Sequence, residues 1–227
     1  MANVSGKAYG LTILSPIKAG HEMQRGFADV IRDRLIDWGT DSASPMAKVP
    51  NTYLCRLFVL DDVYSQSLAA GDFYYSISSF LSLFSKTIRM GSLPKEDHLQ
   101  SKYLVFTTNF HGELDDYLRG MWQAAGEDIK KIWQYCYAFD EVRGAETFIS
   151  YMKKCQLETT LFFVGSNDES LAEQLKGLYL KQELTRFAAE HQGWPAKELQ
   201  QAYREFIKRV EPGNLAGPTW VPGQTTV

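Results

Sequence analysis

Motifs that would fix a reaction are missing from this chain. Its 227 residues contain no G-x-G-x-x-G, no Walker sequence, no H-E-x-x-H and no G-x-S-x-G. The glycine turns that cradle phosphates, the paired histidines that hold zinc and the strained elbow of a serine nucleophile are therefore all absent. Nucleotide enzymes, zincins and α/β-hydrolases are disfavoured accordingly. Cysteine is scarce as well: Cys55, Cys136 and Cys155 are odd in number, widely spaced and outside any C-x-x-C pattern. Buried free thiols in a reducing compartment are the expected reading, with the cytoplasm as the address. There is no basic excess. The 24 Lys and Arg against 27 Asp and Glu leave a net charge of −3, which supplies no global attraction to nucleic acid or anionic membranes. No apolar run approaches the ~20 residues that span a bilayer, and residues 1–7 are small and polar, without the apolar core of a signal segment. Neither a nucleic-acid partner nor a transmembrane segment is expected.

What is present is a globular balance, 44% hydrophobic against 22% charged, which argues against a disordered chain. The length suits one domain over 1–227 with decorations. Strand composition appears at 9–15, ending where Ser15-Pro16 stops pairing. From Gly20 the period becomes helical, with Met23, Phe27, Val30, Ile31 and Leu35 on one side, until Trp38-Gly39. Residues 40–51 read as a loop. Further strands are expected at 52–60, 102–110 and 157–164, each apolar on both sides, with helices over 113–136 and 144–155 between the last two. Asn167 or Asp168 is a candidate cap for a helix to about 191, Trp194-Pro195 opens another to about 210, and residues 211–227 form a Pro- and Gly-rich tail. There is no internal repeat.

The order strand, helix, strand, strand, helices, strand predicts an α+β protein with a ferredoxin-like βαββαβ antiparallel sheet, a core over about 8–165 and a helical extension over 166–210. The connection 61–100 is too long for a simple strand pair, and a helical insertion is expected in it. Phe73, Ile77, Phe80, Leu81, Phe84 and Ile88 recur there along one helix face. Helices cover only one face of such a sheet, yet strands with a wet face normally alternate cleanly. Something else is expected to cover the second face: a partner subunit, the chain's own C-terminal helices or a bound apolar ligand.

Three stretches carry a resemblance. They are Leu11-Thr12-Ile13-Leu14-Ser15-Pro16-Ile17-Lys18-Ala19-Gly20, then Leu54-Cys55-Arg56-Leu57-Phe58-Val59-Leu60-Asp61, then Leu104-Val105-Phe106-Thr107-Thr108-Asn109-Phe110-His111-Gly112-Glu113-Leu114-Asp115-Asp116-Tyr117-Leu118. In fragments over about 8–165, the chain resembles a group of uncharacterised bacterial proteins of dimeric α+β-barrel, ferredoxin-like character. The group's pattern is a strand ending in Pro-x-x-x-Gly, an Arg on the second strand, and Ser/Thr-Asn-Phe-Asp-Gly-x-Leu-Asp-x-Tyr-Leu. Two departures stand out: His111 takes the place of an Asp, and Tyr53 stands where a His is expected. The superfamily includes haem enzymes, monooxygenases and binding proteins, so the resemblance leaves function open. It implies a homodimer and, if there is an activity, a peroxidase- or monooxygenase-like one.

Three places carry chemistry, each with a plainer alternative. Arg56 sits in mid-strand among Leu54, Phe58 and Leu60, where a lone cation is costly unless paired; a carboxylate ligand would suit its guanidinium, and a structural ion pair or exposure on an edge strand is the plainer reading. Asn109 and His111 stand where the third strand gives way to a helix, a common place for ligands; the plainer reading is a helix N-terminus, capped by Asn109 or Gly112 with Glu113, Asp115 and Asp116 complementing the dipole. The stripe of Phe73, Ile77, Phe80 and Phe84 lines a hydrophobic ligand site or packs on its own core or a dimer mate. His111, Glu113 and Asp115 point in different directions along an incipient helix and make no metal set. His21, His98 and His191 show no triad or metal spacing. No cofactor is selected and no catalytic base is identifiable, so whether the protein is an enzyme stays open. The expectation is a small-ligand protein taking an apolar or acidic molecule. The alternative is a non-catalytic interaction or assembly subunit whose apolar surfaces are buried by a partner.

Overall fold

Strand β2 (Ala8–Pro16) organises the molecule. Its residues alternate between buried and half-buried, and it runs antiparallel to the long strand β6 (Lys95–His111), with Leu11 opposite Thr108 and Ile13 opposite Phe106. The outer neighbour of β6 is β5 (Thr52–Ser65), also antiparallel, with Leu57 opposite Phe106 and Val59 opposite Leu104. A two-residue strand β1 (Val4–Ser5) folds back onto the start of β2, giving a four-stranded order β1-β2-β6-β5. The structure is a computed structural model and describes residues 3–40, 44–65, 95–165 and 169–221. The protein is thus α+β, with one antiparallel sheet, a second sheet made of β3 (His21–Glu22) and β4 (Arg25–Gly26), and five described α-helices.

One face of the main sheet carries Leu11, Ile13, Leu104, Phe106 and Phe110, all buried. Helices α1 (Phe27–Thr40), α2 (Leu114–Trp133) and α3 (Ala145–Cys155) pack on it. Helix α2 contributes Leu118, Met121, Ile129, Ile132 and Trp133, at the three- and four-residue spacing that keeps one stripe inward. Acidic Asp115 and Asp116 open α2 and basic Lys130 and Lys131 close it, as the helix dipole favours. Several polar groups inside this layer pair with one another. The Trp133 indole N–H donates to Ser15 Oγ at 3.2 Å. The Tyr117 hydroxyl lies 2.9 Å from Thr108 Oγ1 and 3.0 Å from Thr52 Oγ1, its ring stacked 3.8 Å from Phe110.

Helices α4 (Leu171–Glu190) and α5 (Ala196–Val210) build a separate small cluster from Phe187, Phe206 and Val210. Two charges are buried in it. Lys176 donates to the carbonyls of Val210 and Pro218 at 2.7 and 2.6 Å, and Glu183 accepts from Arg186 and Arg209. An ammonium closing the carbonyl end of α5 also matches that helix's dipole.

Several expectations need correction. The stretch 157–164 is not a strand. Gln156 makes an isolated bridge with Ile13, and the Leu157 N–H donates to Thr12 O. Farther along, β1 already holds the edge of β2, so the amides of Thr159 and Val164 go to the side chains of Asn3 and Ser5 instead. Strand propensity here yields to an occupied edge. Strands β5 and β6 run to Ser65 and from Lys95, beyond the expected 60 and 102, by pairing Asp62 with His98 through Ser65 with Lys95. The insertion is shortened at both ends, and the helix expected over 73–88 lies outside the described residues. Helix α1 begins at Phe27 rather than Gly20 because residues 21–26 form a hairpin, whose turn leaves Met23 97% exposed at a positive φ. The cap of α4 is Ser170, in a reciprocal pair with Glu173, and not Asn167 or Asp168.

Phe106→Ala is expected to lower the unfolding free energy by about 3–5 kcal/mol, read by urea denaturation. A second expectation concerns alkaline pH. Burial pushes the Cys136 thiol from 9.0 up to about 12, with the Cys155 thiol adding to the rise and Lys18 opposing it. Burial raises Tyr151 as well. A thiol held protonated in the fold ionises first in the unfolded chain. Its contribution is therefore complete below pH 9 and lost as pH rises toward about 12. The urea midpoint should fall over that window, and Cys136→Ala should flatten part of the fall.

Candidate functional site

The face of the sheet turned away from α1–α3 gathers the candidate residues. Register puts Gly10, Asn109 and Leu54 on one rung, Thr12, Thr107 and Arg56 on the next, and Ala8 opposite His111 at the end. Because alternate residues share a face, Arg56, Asn109 and His111 lie on the same side of the sheet. Arg56 and Asn109 are diagonal neighbours, about 7–8 Å apart by strand geometry.

A β-bulge shapes the end of this row. Thr52 pairs with Phe110 but Leu54 pairs with Asn109, so Tyr53 is the extra residue. Thr52 stays on the helix side, bonded to Tyr117, while Tyr53 and Leu54 turn to the other face. Unbroken alternation along the strand would put Tyr53 on the same face as Cys55, Leu57 and Val59, and the bulge breaks it. Tyr53 meets His111, ring centroids 4.7 Å apart, with its hydroxyl 3.0 Å from His111 Nδ1. The same hydroxyl donates to Glu169 O at 2.7 Å and accepts from Gln174 Nε2 at 3.3 Å. A carbonyl only accepts, so the phenolic hydrogen goes to Glu169 and His111 Nδ1 carries a hydrogen toward Tyr53. This polar knot ties the sheet to the start of α4. There the Ser170 backbone N–H, then its hydroxyl, and more weakly Lys7 and His111, hold the Glu173 carboxyl below its usual range.

The rest of the face is covered unevenly. At Gly10 an added Cβ would sit 2.7 Å from the Phe162 ring, so this glycine is the seat on which the 157–165 strap lies. Val105 is buried. Leu54 and Phe58, however, are 53% and 46% exposed, and Arg56 between them is exposed too. Arg56 belongs to the outermost strand and forms no ion pair with another described residue. Water solvates its guanidinium, so the expected cost of a buried cation does not arise. Phe73, Ile77, Phe80 and Phe84 lie outside the described residues. The structure thus brings three of the expected site residues onto one face, and adds Tyr53, Gln174 and Glu169, whose roles depend on the bulge and on a contact more than a hundred residues away in sequence. Among the described residues no group of three His, Cys, Asp or Glu side chains gathers to hold a metal ion. None of the helices is long and apolar enough to cross a membrane among these residues. No family model, curated protein or solved structure matches the chain.

Removing the knot's hydroxyl tests the tie. Tyr53→Phe is expected to cost about 1 kcal/mol and to speed amide exchange at residues 170–174, while amides of α2 keep their protection.

Proposed function

We propose that the protein is a small-ligand-binding protein of the dimeric α+β-barrel kind, in which the second sheet face of one chain closes against the same face of another. One observation carries this reading: Leu54 and Phe58, large and about half exposed, flank an exposed arginine on a face that also presents Asn109 and His111. Apolar surface of this kind gains by leaving water, and a C2 pair covers both copies with one contact. The resemblance of residues 8–165 to that superfamily supports the same arrangement. So does the strand order, in which β2 and β5 both flank β6 antiparallel, as in a split βαβ unit. Closing the two faces removes water from around Arg56, and a guanidinium in a dry site selects a carboxylate or similar acidic group. Asn109 and His111 would orient that ligand. Its body is apolar, in keeping with Leu54 and Phe58. No reaction is assigned, because among the described residues no pair of groups on this face is set up as nucleophile and base.

The plain assembly reading shares the pairing and omits the ligand. Light scattering and native mass spectrometry separate the outcomes. The expected result is a dimer that Phe58→Glu converts to monomer without unfolding it, together with a co-purifying molecule that Arg56→Leu loses. A dimer without any bound molecule supports the assembly reading. A wild-type monomer, or a dimer indifferent to Phe58→Glu, overturns both.

A further inference from the structure

A cavity unrelated to the sheet face lies where β2 ends. It has a volume of about 330 Å³ and draws its walls from four separate segments: residues 17–21, the stretch 26–29 where β4 passes into α1, Leu99, Ser101 and Lys102 of β6, and Tyr137. This is within the range of ligand cavities, about 300–1,000 Å³. Its floor is fixed by backbone hydrogen bonds. Ile17 N donates to Lys102 O and Lys18 N to Tyr135 O, both at 2.8 Å, while Tyr137 N donates to Pro16 O at 2.9 Å. The rim is equally constrained: Phe27 N donates to Gly20 O, and Gly20, at φ +157, has the Phe27 ring 2.5 Å from where a Cβ would stand. A wall held from several sides does not have to be ordered by its ligand, which lowers the cost of binding.

The charges around the cavity are unequal in kind. Lys18 and Lys102 line it: Lys102 lies on β6 and Lys18 just past the end of β2, next to Ile17, whose N–H bonds Lys102 O. Their carboxylate partners do not line it. Lys18 reaches Asp140, 72% exposed, at a long 3.4 Å, and Lys102 reaches Asp61 at 3.1 Å. Asp29, the carboxylate that does line the cavity, is engaged by Arg32 at 2.6 Å. Ile17, Phe27 and Leu99 supply apolar wall.

We infer that this cavity is a binding site for a small organic anion, an apolar body bearing one carboxylate or phosphate that Lys18 and Lys102 receive together. Each lysine keeps its protein carboxylate on the outer side and meets the ligand on the inner side. The exposure of the lysines makes the charge contribution modest, and the apolar wall supplies the remainder.

The test titrates the full-length protein with benzoate, phenyl phosphate and the neutral isostere benzamide, following the backbone amide resonances of Gly20 and Gly26. Saturable shifts are expected with one or both anions and weaker ones with benzamide. Lys18→Met and Lys102→Met should each weaken anion binding by about three- to fivefold, as partly exposed pairs do. Lys208→Met, at an exposed lysine of α5 away from both sites, should leave it unchanged. The inference is overturned if neither anion saturates, if benzamide binds as well as benzoate, or if both lysine variants bind like the native protein. The comparison of benzoate with benzamide needs no variant, so a variant that fails to fold does not spoil it.

Discussion

The outer edge of β2 is the constraint from which most of the molecule follows. A nine-residue strand at this position presents a row of backbone groups that must be paired. Three unrelated segments share the task. Val4 and Ser5 take the beginning, Gln156 and Leu157 the middle, and Cys136 with Tyr137 the end. No continuous strand is left a place there. The strap that covers Gly10, the 135–137 turn that anchors α2, and the floor beneath Lys18 are all by-products of this division.

The interior layer answers to the same strand from the other side. Ser15 is the polar residue that β2 sends into the helices, and the indole of Trp133 meets it. A hydroxyl at that depth without a partner would cost about 1–3 kcal/mol, so the position of Trp133 in α2 is tied to β2 as firmly as the sheet is. Cys136 follows three residues later, at the turn that bridges Ile17, which places a buried thiol between the helix layer and the strand end.

Much of this was legible in the sequence. Helices α2, α3 and α5 follow their apolar stripes closely, because each buries one apolar face and leaves its polar residues to water. The strands over 9–15, 52–60 and 102–110 were also readable from composition. The stretch 157–164 misled because Leu, Thr, Phe and Val report β propensity but not whether an edge is vacant. Met23 misled because it falls in phase with the stripe of α1 while a hairpin turn precedes that helix. Arg56, Asn109 and His111 share a face by simple parity, which sequence can supply once the strands are paired. Tyr53 could not have been found that way: a bulge shifts parity by one residue, and only the pairing of Thr52 with Phe110 and Leu54 with Asn109 reveals it.

The division of the β2 edge also has a meaning in time. During synthesis β2 is made by residue 16, yet its inner partner β6 is complete only at residue 111 and its outer edge only at 157. Through that interval β2 is an apolar strand with nothing but β1 beside it, and contacts of such long sequence separation form slowly. The α4–α5 pair, whose cluster joins residues within about forty positions of one another, waits for nothing upstream. Synthesis therefore presents the long-exposed strand well before the locally assembled helical pair. Leu157, bonded to Thr12, is the residue at which that open edge closes.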